Sequence, residues 1–322
     1  MGDFINKILF SRIFLAGLLI FGLATFTMQV SREVEKDFDK ELWSVVYDTS
    51  DRLELYSNIM YAFRGLFHSQ VSITPQEWET FNQSFNTSER FGDTIEMGWT
   101  RYIKDSELTE EERSQLKTVG NLDYHYIIQY HSGHAEGQST VGNDLTTNPE
   151  RLQALNTARD NGLIAAVPPL TIFGSNREGV ILYLPVYHRG TFPTTPEERQ
   201  ENLFGFVSFV IPTEEFAETI LNKNTVKDVR LKITDVETGR VVHDNTNEVP
   251  KNVAIVSKTL ELRFGQRKWA LEFVGNRRSY LEPSSAVFLL SLLVSSLFVI
   301  FYPQIRGLVP EKGKPSLRRK KL

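Results

Sequence analysis

Two apolar segments near the ends of this chain constrain it more than any single motif. Ile13–Val30 runs 18 residues without a charge, and Pro283–Ile305 runs 23, dense in Leu, Phe, Val and Ser. As helices rising about 1.5 Å per residue, each is long enough to cross a hydrocarbon core of roughly 30 Å. The intervening Arg32–Glu282, 251 residues, is therefore expected on one side of a membrane. The first segment exceeds the usual apolar region of a signal peptide, about 7–15 residues, and no small-x-small cleavage site follows it. It reads as an uncleaved anchor.

Charge sets the orientation. After the second segment come Arg306, Lys312, Lys314, Arg318, Arg319, Lys320 and Lys321 against Glu311 alone, and the N-terminus has Lys7 and Arg12 against Asp3. Cytoplasmic flanks collect Lys and Arg, so both termini read as inside and the middle as outside, giving a two-pass protein of the plasma (inner) membrane. The run Arg318–Lys321 reads first as a topology signal and second as a site for anionic lipid or a partner. The middle holds 27 basic residues and 38 acids, a formal charge of −11, against +7 for the two ends. An acidic outer region argues against nucleic-acid binding and against lying flat on anionic lipid. With no cysteine the fold is not disulfide-stapled, and 251 residues bury enough core without bridges.

From Val34 to Phe67 apolar residues recur at Val34, Phe38, Leu42, Val45, Leu53, Tyr56, Met60, Phe63 and Phe67, with Thr49 the one break in a 3-and-4 spacing. This is an amphipathic helix, spanning roughly 55 Å from Arg32 to His68. The stripe packs on its own domain, or forms a parallel dimer seam, or does both. Thr74 caps a helix that begins at Pro75. Strands are expected at Ile95–Ile103, Tyr124–Tyr130, Val180–Tyr187 and Phe204–Ile211. Helices are expected at Leu108–Leu116, at Glu150–Asn161 (opened by Asn148-Pro149 and stopped by Gly162) and at Glu214–Leu221, capped by Thr213. Val229–Val236 and Arg240–Asp244 flank Glu237-Thr-Gly239, and Ile255–Phe264 and Lys268–Val274 flank Gly265-Gln266, which makes two hairpins in a small antiparallel sheet. The fold class is α+β.

Further motifs form a resemblance. Tyr61-Ala-Phe-Arg-Gly-Leu-Phe-His-Ser69, Ile73-Thr-Pro-Gln-Glu-Trp78 with Phe81, Met97-Gly-Trp99, and Val141-Gly-Asn-Asp-Leu145 with Arg151, Ala154, Leu155, Ala158 and Gly162 follow one another in order. Pro185-Val-Tyr187 and Leu203-Phe-Gly205 complete the set. Together they resemble the CHASE domain over roughly Tyr61–Leu221. The resemblance implies an extracytoplasmic ligand sensor of a membrane receptor, in which a long helix carries two tandem PAS-like modules between two transmembrane helices. The implied plan is a cytoplasmic N-terminus (1–12), a first transmembrane helix (13–31), a helical stalk (32–70), a membrane-distal PAS-like ligand-binding module (71–222) and a membrane-proximal PAS-like module (223–282). A second transmembrane helix (283–305) and a basic cytoplasmic tail (306–322) complete it. Family members usually continue into a kinase or cyclase. Here 17 residues follow Ile305, so the signal is expected to pass to a separate output protein.

Asp144 is the leading ligand contact. In cytokinin-binding members the matching aspartate holds a purine-like ring; alternatively Asp144 organises the turn before Asn148-Pro149. Trp99, Tyr126, Tyr183 and Phe206, with Ala165 and Ala166 leaving space, are candidate pocket walls or ordinary core, since alternation defines two faces without saying which lines a cavity. His125, His131 and His134 read as solvated loop residues rather than metal ligands. Asn82-Gln-Ser84 and Asn86-Thr-Ser88 are glycosylation sequons. No nucleophile elbow, His-Glu-x-x-His or phosphate loop is present, so neither catalysis nor a cofactor is expected. The expected partners are a small molecule, a second copy through the N-terminal helix, and the output protein. The competing function is a membrane-anchored scaffold with a degenerate pocket.

Overall fold

The computed structural model describes residues 2–69, 72–85, 96–132, 140–173, 175–221, 229–248 and 255–277, with side chains of the first helix described from Ile20 onward. Two compact bodies result, Met1–Phe38 with Arg277–Leu322, and Asp39–Asn276.

In the first body, α1 (Gly2–Ser69) begins and runs through Ile13–Val30. Among the described residues no helix is long and apolar enough to cross a membrane. Most side chains of the first half of Ile13–Val30 are not described, and Pro283–Ile305 lies outside the described residues. Arg277 donates a hydrogen bond to Ser31 Oγ.

The second body opens with the remainder of α1. Its stripe of Leu42, Val45, Leu53, Tyr56, Met60, Phe63 and Phe67 is buried within the single chain. Thr49 is buried in the same stripe; its Oγ1 donates to the Val45 carbonyl at 2.7 Å, which satisfies the hydroxyl without leaving the helix. α2 (Pro75–Ser84) starts at a Thr74–Glu77 capping box with Pro75 in its first turn.

Then come β1 (Glu96–Lys104), α3 (Glu110–Gln115), β2 (Tyr124–Ser132), α4 (Pro149–Asn161), β3 (Ala165–Ala166), β4 (Leu170–Thr171), β5 (Glu178–Tyr187), α5 (Pro196–Glu201), β6 (Leu203–Pro212) and α6 (Thr213–Ile220). The first sheet is antiparallel throughout, in the order β2-β1-β6-β5-β3, with β4 also on β5. Asn148 caps α4 through its side chain, and Gly162, at φ 68°, ends it in the left-handed region. Thr213 does not cap α6: Pro212 holds that position and no side chain closes the turn. The short strands β3 and β4 and the Thr195-capped α5 carry too few residues for a periodic signal.

The second sheet comprises β7 (Val229–Asp235), β8 (Val241–Asp244), β9 (Ile255–Phe264) and β10 (Arg267–Asn276), ordered β8-β7-β10-β9. Both Gly265 and Gln266 have positive φ, 59° and 58°, the two-residue turn that matches strand twist in a hairpin. Leu231, Ile233, Trp269, Leu271 and Phe273 form its buried face.

Each first-sheet strand splits its side chains between two faces. One face meets α1 and α2: Phe67 stacks on Trp99 at 3.7 Å, Tyr56 lies 5.1 Å from Phe209, and Trp78 stacks on Tyr130 at 5.9 Å. Tyr56 also hydrogen-bonds Thr219 of α6 at 3.1 Å. The other face meets α4 and holds the cluster of Tyr126, Leu145, Leu155, Ala158, Tyr183 and Phe206.

Candidate ligand-binding cavity

A cavity opens on the α4 side of the first sheet. Glu96 and Thr100 of β1, Ile128 and His131 of β2, Ile181 and Tyr183 of β5, and Ser208 and Val210 of β6 form its floor. Thr140, Leu145, Arg151 of α4, Ile172 and Phe173 form its walls. The free volume inside is about 30 Å³, and about 360 Å³ lies between the lining atoms once space open to solvent is counted. Strand register explains the floor. Gly98 pairs with His131 on one side and Ser208 on the other, and a Cβ there would meet Ser208 Oγ at 2.5 Å. Glycine therefore lets the Ser208 hydroxyl occupy the middle of the sheet surface.

Of the polar groups of the cavity, Glu96, Thr100, Thr140 and Arg151 are buried, and His131 and Ser208 are half-buried. Glu96 is 2% exposed, and its Oε2 lies 3.0 Å from His131 Nε2. Arg151 is 4% exposed. Its Nη1 donates to the Tyr183 hydroxyl at 3.4 Å, its Nη2 donates to the Thr171 carbonyl at 3.2 Å, and its guanidinium carbon lies 4.1 Å from the Phe173 ring centre. Arg151 Nε and Thr140 Oγ1 are buried without a hydrogen-bond partner. Tyr183 has its hydroxyl pKa raised, chiefly by burial.

Asp144 stands just behind this wall, fully buried. Its Oδ1 accepts from Tyr126 N at 3.2 Å and Thr146 N at 3.0 Å. Its Oδ2 accepts from Gly120 N at 2.8 Å and lies 2.7 Å from His125 Nδ1. Burial pushes its pKa up, but the bonds from Gly120, Thr146 and His125 outweigh burial and hold it below the usual carboxylate range. A Cβ on Gly120 would overlap Thr146 Oγ1, so only glycine brings this loop onto the carboxylate. His125 Nε2 lies 2.7 Å from Asp105 Oδ1, which also accepts from Arg113 Nη2 at 2.6 Å. The whole cluster ties the Asp144–Thr147 turn to β2 and to the loop before it, which is the turn-organising role.

The other sequence candidates separate by face. Tyr183 lines the cavity, and Tyr126 and Phe206 continue the same face, 5.1 Å apart edge to face. Tyr126 OH donates to Asn156 and accepts from Arg159, each at 3.1 Å. Ala165 pairs with Tyr183 across the β3–β5 ladder. Ala166 donates its N–H to the Gly265 carbonyl at 2.7 Å and so meets the β9–β10 turn instead. Trp99 points to the α1 face, stacked on Phe67. The histidines need correction: His125 is fully buried between two carboxylates and His131 pairs with Glu96, so neither is a solvated loop residue, and His134 lies outside the described residues. Glu96, Thr100, Thr140 and Ser208 escaped sequence reasoning. For Glu96 and Thr100 the available signal was their alternation with Gly98, which puts all three on one face of β1.

The sequence matches the CHASE domain model over residues 71–248, more than half of the 322-residue chain. The protein belongs to the CHASE-domain family, a family of ligand sensors rather than catalysts. No curated protein matches the chain. Among solved structures, methyl-accepting chemotaxis protein X is 10% identical, covers 77% of this chain with 99% of its own, and superposes at a TM-score of 0.50, a likeness of fold alone. The ligand-binding domain of the Pseudomonas aeruginosa PAO1 amino-acid chemoreceptor PctB, in complex with L-Arg, is 9% identical, with 77% and 97% covered and a TM-score of 0.49. That of PctC from the same organism, in complex with GABA, gives 9%, 74%, 98% and 0.48.

Proposed function

We propose that this protein is a membrane-anchored extracytoplasmic receptor that binds a small molecule in the α4-side cavity and passes the signal to a separate output protein. The observation that carries this reading is a cavity in a sensor-family fold whose floor brings together Glu96 and Thr100, both buried, and His131 and Ser208, both half-buried, from three strands. Pockets of this kind use a few fixed polar groups for orientation. Tyr183 and Arg151 contact the ligand, and Tyr126 and Phe206 support the same wall. Asp144 positions the wall; a purine-like ligand reaching it directly would displace internal donors that already fill both oxygens.

Ile13–Val30 and Pro283–Ile305 are the two spans in this reading, with both termini cytoplasmic, and the two sheets are the membrane-distal and membrane-proximal PAS-like modules. The strand order β2-β1-β6-β5-β3, with α3 and α4 inserted before β3, supports the PAS-like description of the first. α4 also offers a route between sheets. Glu150, next to Arg151, pairs with Arg240 before β8 at 2.7 Å, and Asn161 at the other end bonds Gln266 of the β9–β10 turn at 2.5 Å. Homodimerisation through α1 would use the face its own domain leaves open, where Trp43, Tyr47, Leu55 and Tyr61 are exposed.

The small free volume favours one alternative, a non-binding scaffold with a degenerate pocket. Thermal-shift screening of the full chain in detergent against a library of small metabolites separates the two. A saturable stabilisation that Ser208→Leu abolishes supports the receptor. A folded chain that no compound stabilises, or whose stabilisation survives Ser208→Leu, overturns this site.

A further inference from the structure

We infer that the ligand presents a carboxylate to Arg151, specifically as a small monocarboxylate; this rests on the receptor reading above. Arg151 is a buried cation whose charge no carboxylate neutralises among the described residues. Its sequence neighbour Glu150 is turned to Arg240 at 2.7 Å, and Glu96, the acid on the cavity floor, pairs with His131. An isolated charge taken out of water is costly unless it finds a partner. Arg151 nevertheless stays in place, held by Tyr183, the Thr171 carbonyl and the Phe173 ring, with Nε–H unused. A guanidinium fixed this way with one N–H free is preorganised to donate a charge-assisted hydrogen bond to one oxygen of a carboxylate.

Thr140 supplies the second, independent observation. Its hydroxyl is buried in the wall of the same cavity and also lacks a partner. Two unmet polar groups lining one cavity account for the two oxygens of a carboxylate, one on Nε and one on the threonine hydroxyl. The charge of the ligand follows from the remaining groups. With one cation, and with Glu96 on the floor, a dianion such as phosphate keeps an unneutralised charge and meets about twice the repulsion of a monoanion. The small volume restricts the ligand to a few carbons. An amino group on that ligand would find Glu96 as its acceptor.

The test uses the full chain in detergent, with acetate, propionate, glycine and alanine as probes, acetamide and propionamide as uncharged isosteres, and sodium chloride to match ionic strength. At least one of the four carboxylates should raise the melting temperature saturably while neither acetamide nor propionamide does. Arg151→Gln should weaken that binding about 10- to 150-fold, the worth of one charged hydrogen bond. Thr140→Val should weaken it less and serves as the reading variant if Arg151→Gln does not fold. No stabilisation by any carboxylate, equal stabilisation by the amides, or affinity unchanged in the variants overturns the inference. A neutral compound whose binding is blocked by Ser208→Leu would overturn the carboxylate and leave the receptor standing, whereas a folded chain that binds nothing overturns both.

Discussion

The α1 face and the α4 face of the first sheet are made by the same strands, residue by alternate residue, yet they are built for different ends. On the α1 side Trp99 meets Phe67 and Phe209 meets Tyr56, with Val207 and Leu184 buried at the paired positions of the same face. On the α4 side Glu96, Thr100 and Ser208 replace such residues, Gly98 removes a side chain, and a cavity remains. The first face stores stability through burial, at about 25 cal/mol per Å² of apolar surface. The second gives up part of that gain to keep polar groups desolvated and oriented. A sensor needs both, since a rigid backing sheet keeps the groups of the cavity in register.

The comparison can be broken by mutation. The largest expected effect is on the α1 face: Trp99→Ala should cost about 3–5 kcal/mol, read as a shift in the urea midpoint, because the cavity left behind cannot collapse against α1. A loss below about 1 kcal/mol would mean that this face is not the stabilising one.

Asp144 comes next, since it is the structural element of the polar side. Asp144→Ala strands buried N–H groups of Gly120, Tyr126 and Thr146, and should cost about 2–4 kcal/mol. Its lowered pKa gives a pH signature. The folded state binds the proton less well than the unfolded state, so the contribution is complete above the ordinary carboxylate range and is lost as pH falls through the depressed value. Wild type should therefore lose stability below about pH 4, with a shallower slope in Asp144→Ala. Glu112, held down to about 2 chiefly by the Arg101 side chain, extends the same loss to lower pH in both proteins. Identical slopes would remove Asp144 from the folding role.

The smallest effect should come from the cavity itself. Arg151→Met removes an unneutralised buried cation but leaves the Tyr183 hydroxyl and the Thr171 carbonyl without their donor, and because the two effects oppose each other stability should change by no more than about 1 kcal/mol, in either direction. A large loss would show that Arg151 is a structural member like Asp144 and that the two faces differ less than their composition implies.

Much of the fold was legible because local stereochemistry encodes it. The stripe Leu42 to Phe67, the Thr74–Glu77 cap, the Gly162 stop and the Gly265-Gln266 turn each depend on residues within a few positions of one another. Thr213 failed as a cap because Pro212 already supplies the extended residue that starts α6. For the site, the order of the motifs identified the family, but Trp99, Tyr126 and Tyr183 looked equivalent, and only the sheet separates them by face. β5 is buried at nine successive positions, so alternation there carries no information about which face is polar.

The sequence by itself determined the stripe of α1, the caps at Thr74 and Asn148, the Gly162 stop and the Gly265-Gln266 turn, and that the chain belongs to a sensor family, because periodicity, capping and backbone preference act over one or two turns of chain. Only the tertiary structure decided that Gly98 lies beside Ser208, that Asp144 spends its oxygens on Gly120, Tyr126, Thr146 and His125, and that Arg151, in the wall of a cavity, keeps a free N–H. Those outcomes depend on the register of strands distant in sequence, where the shift of one residue would exchange the two faces.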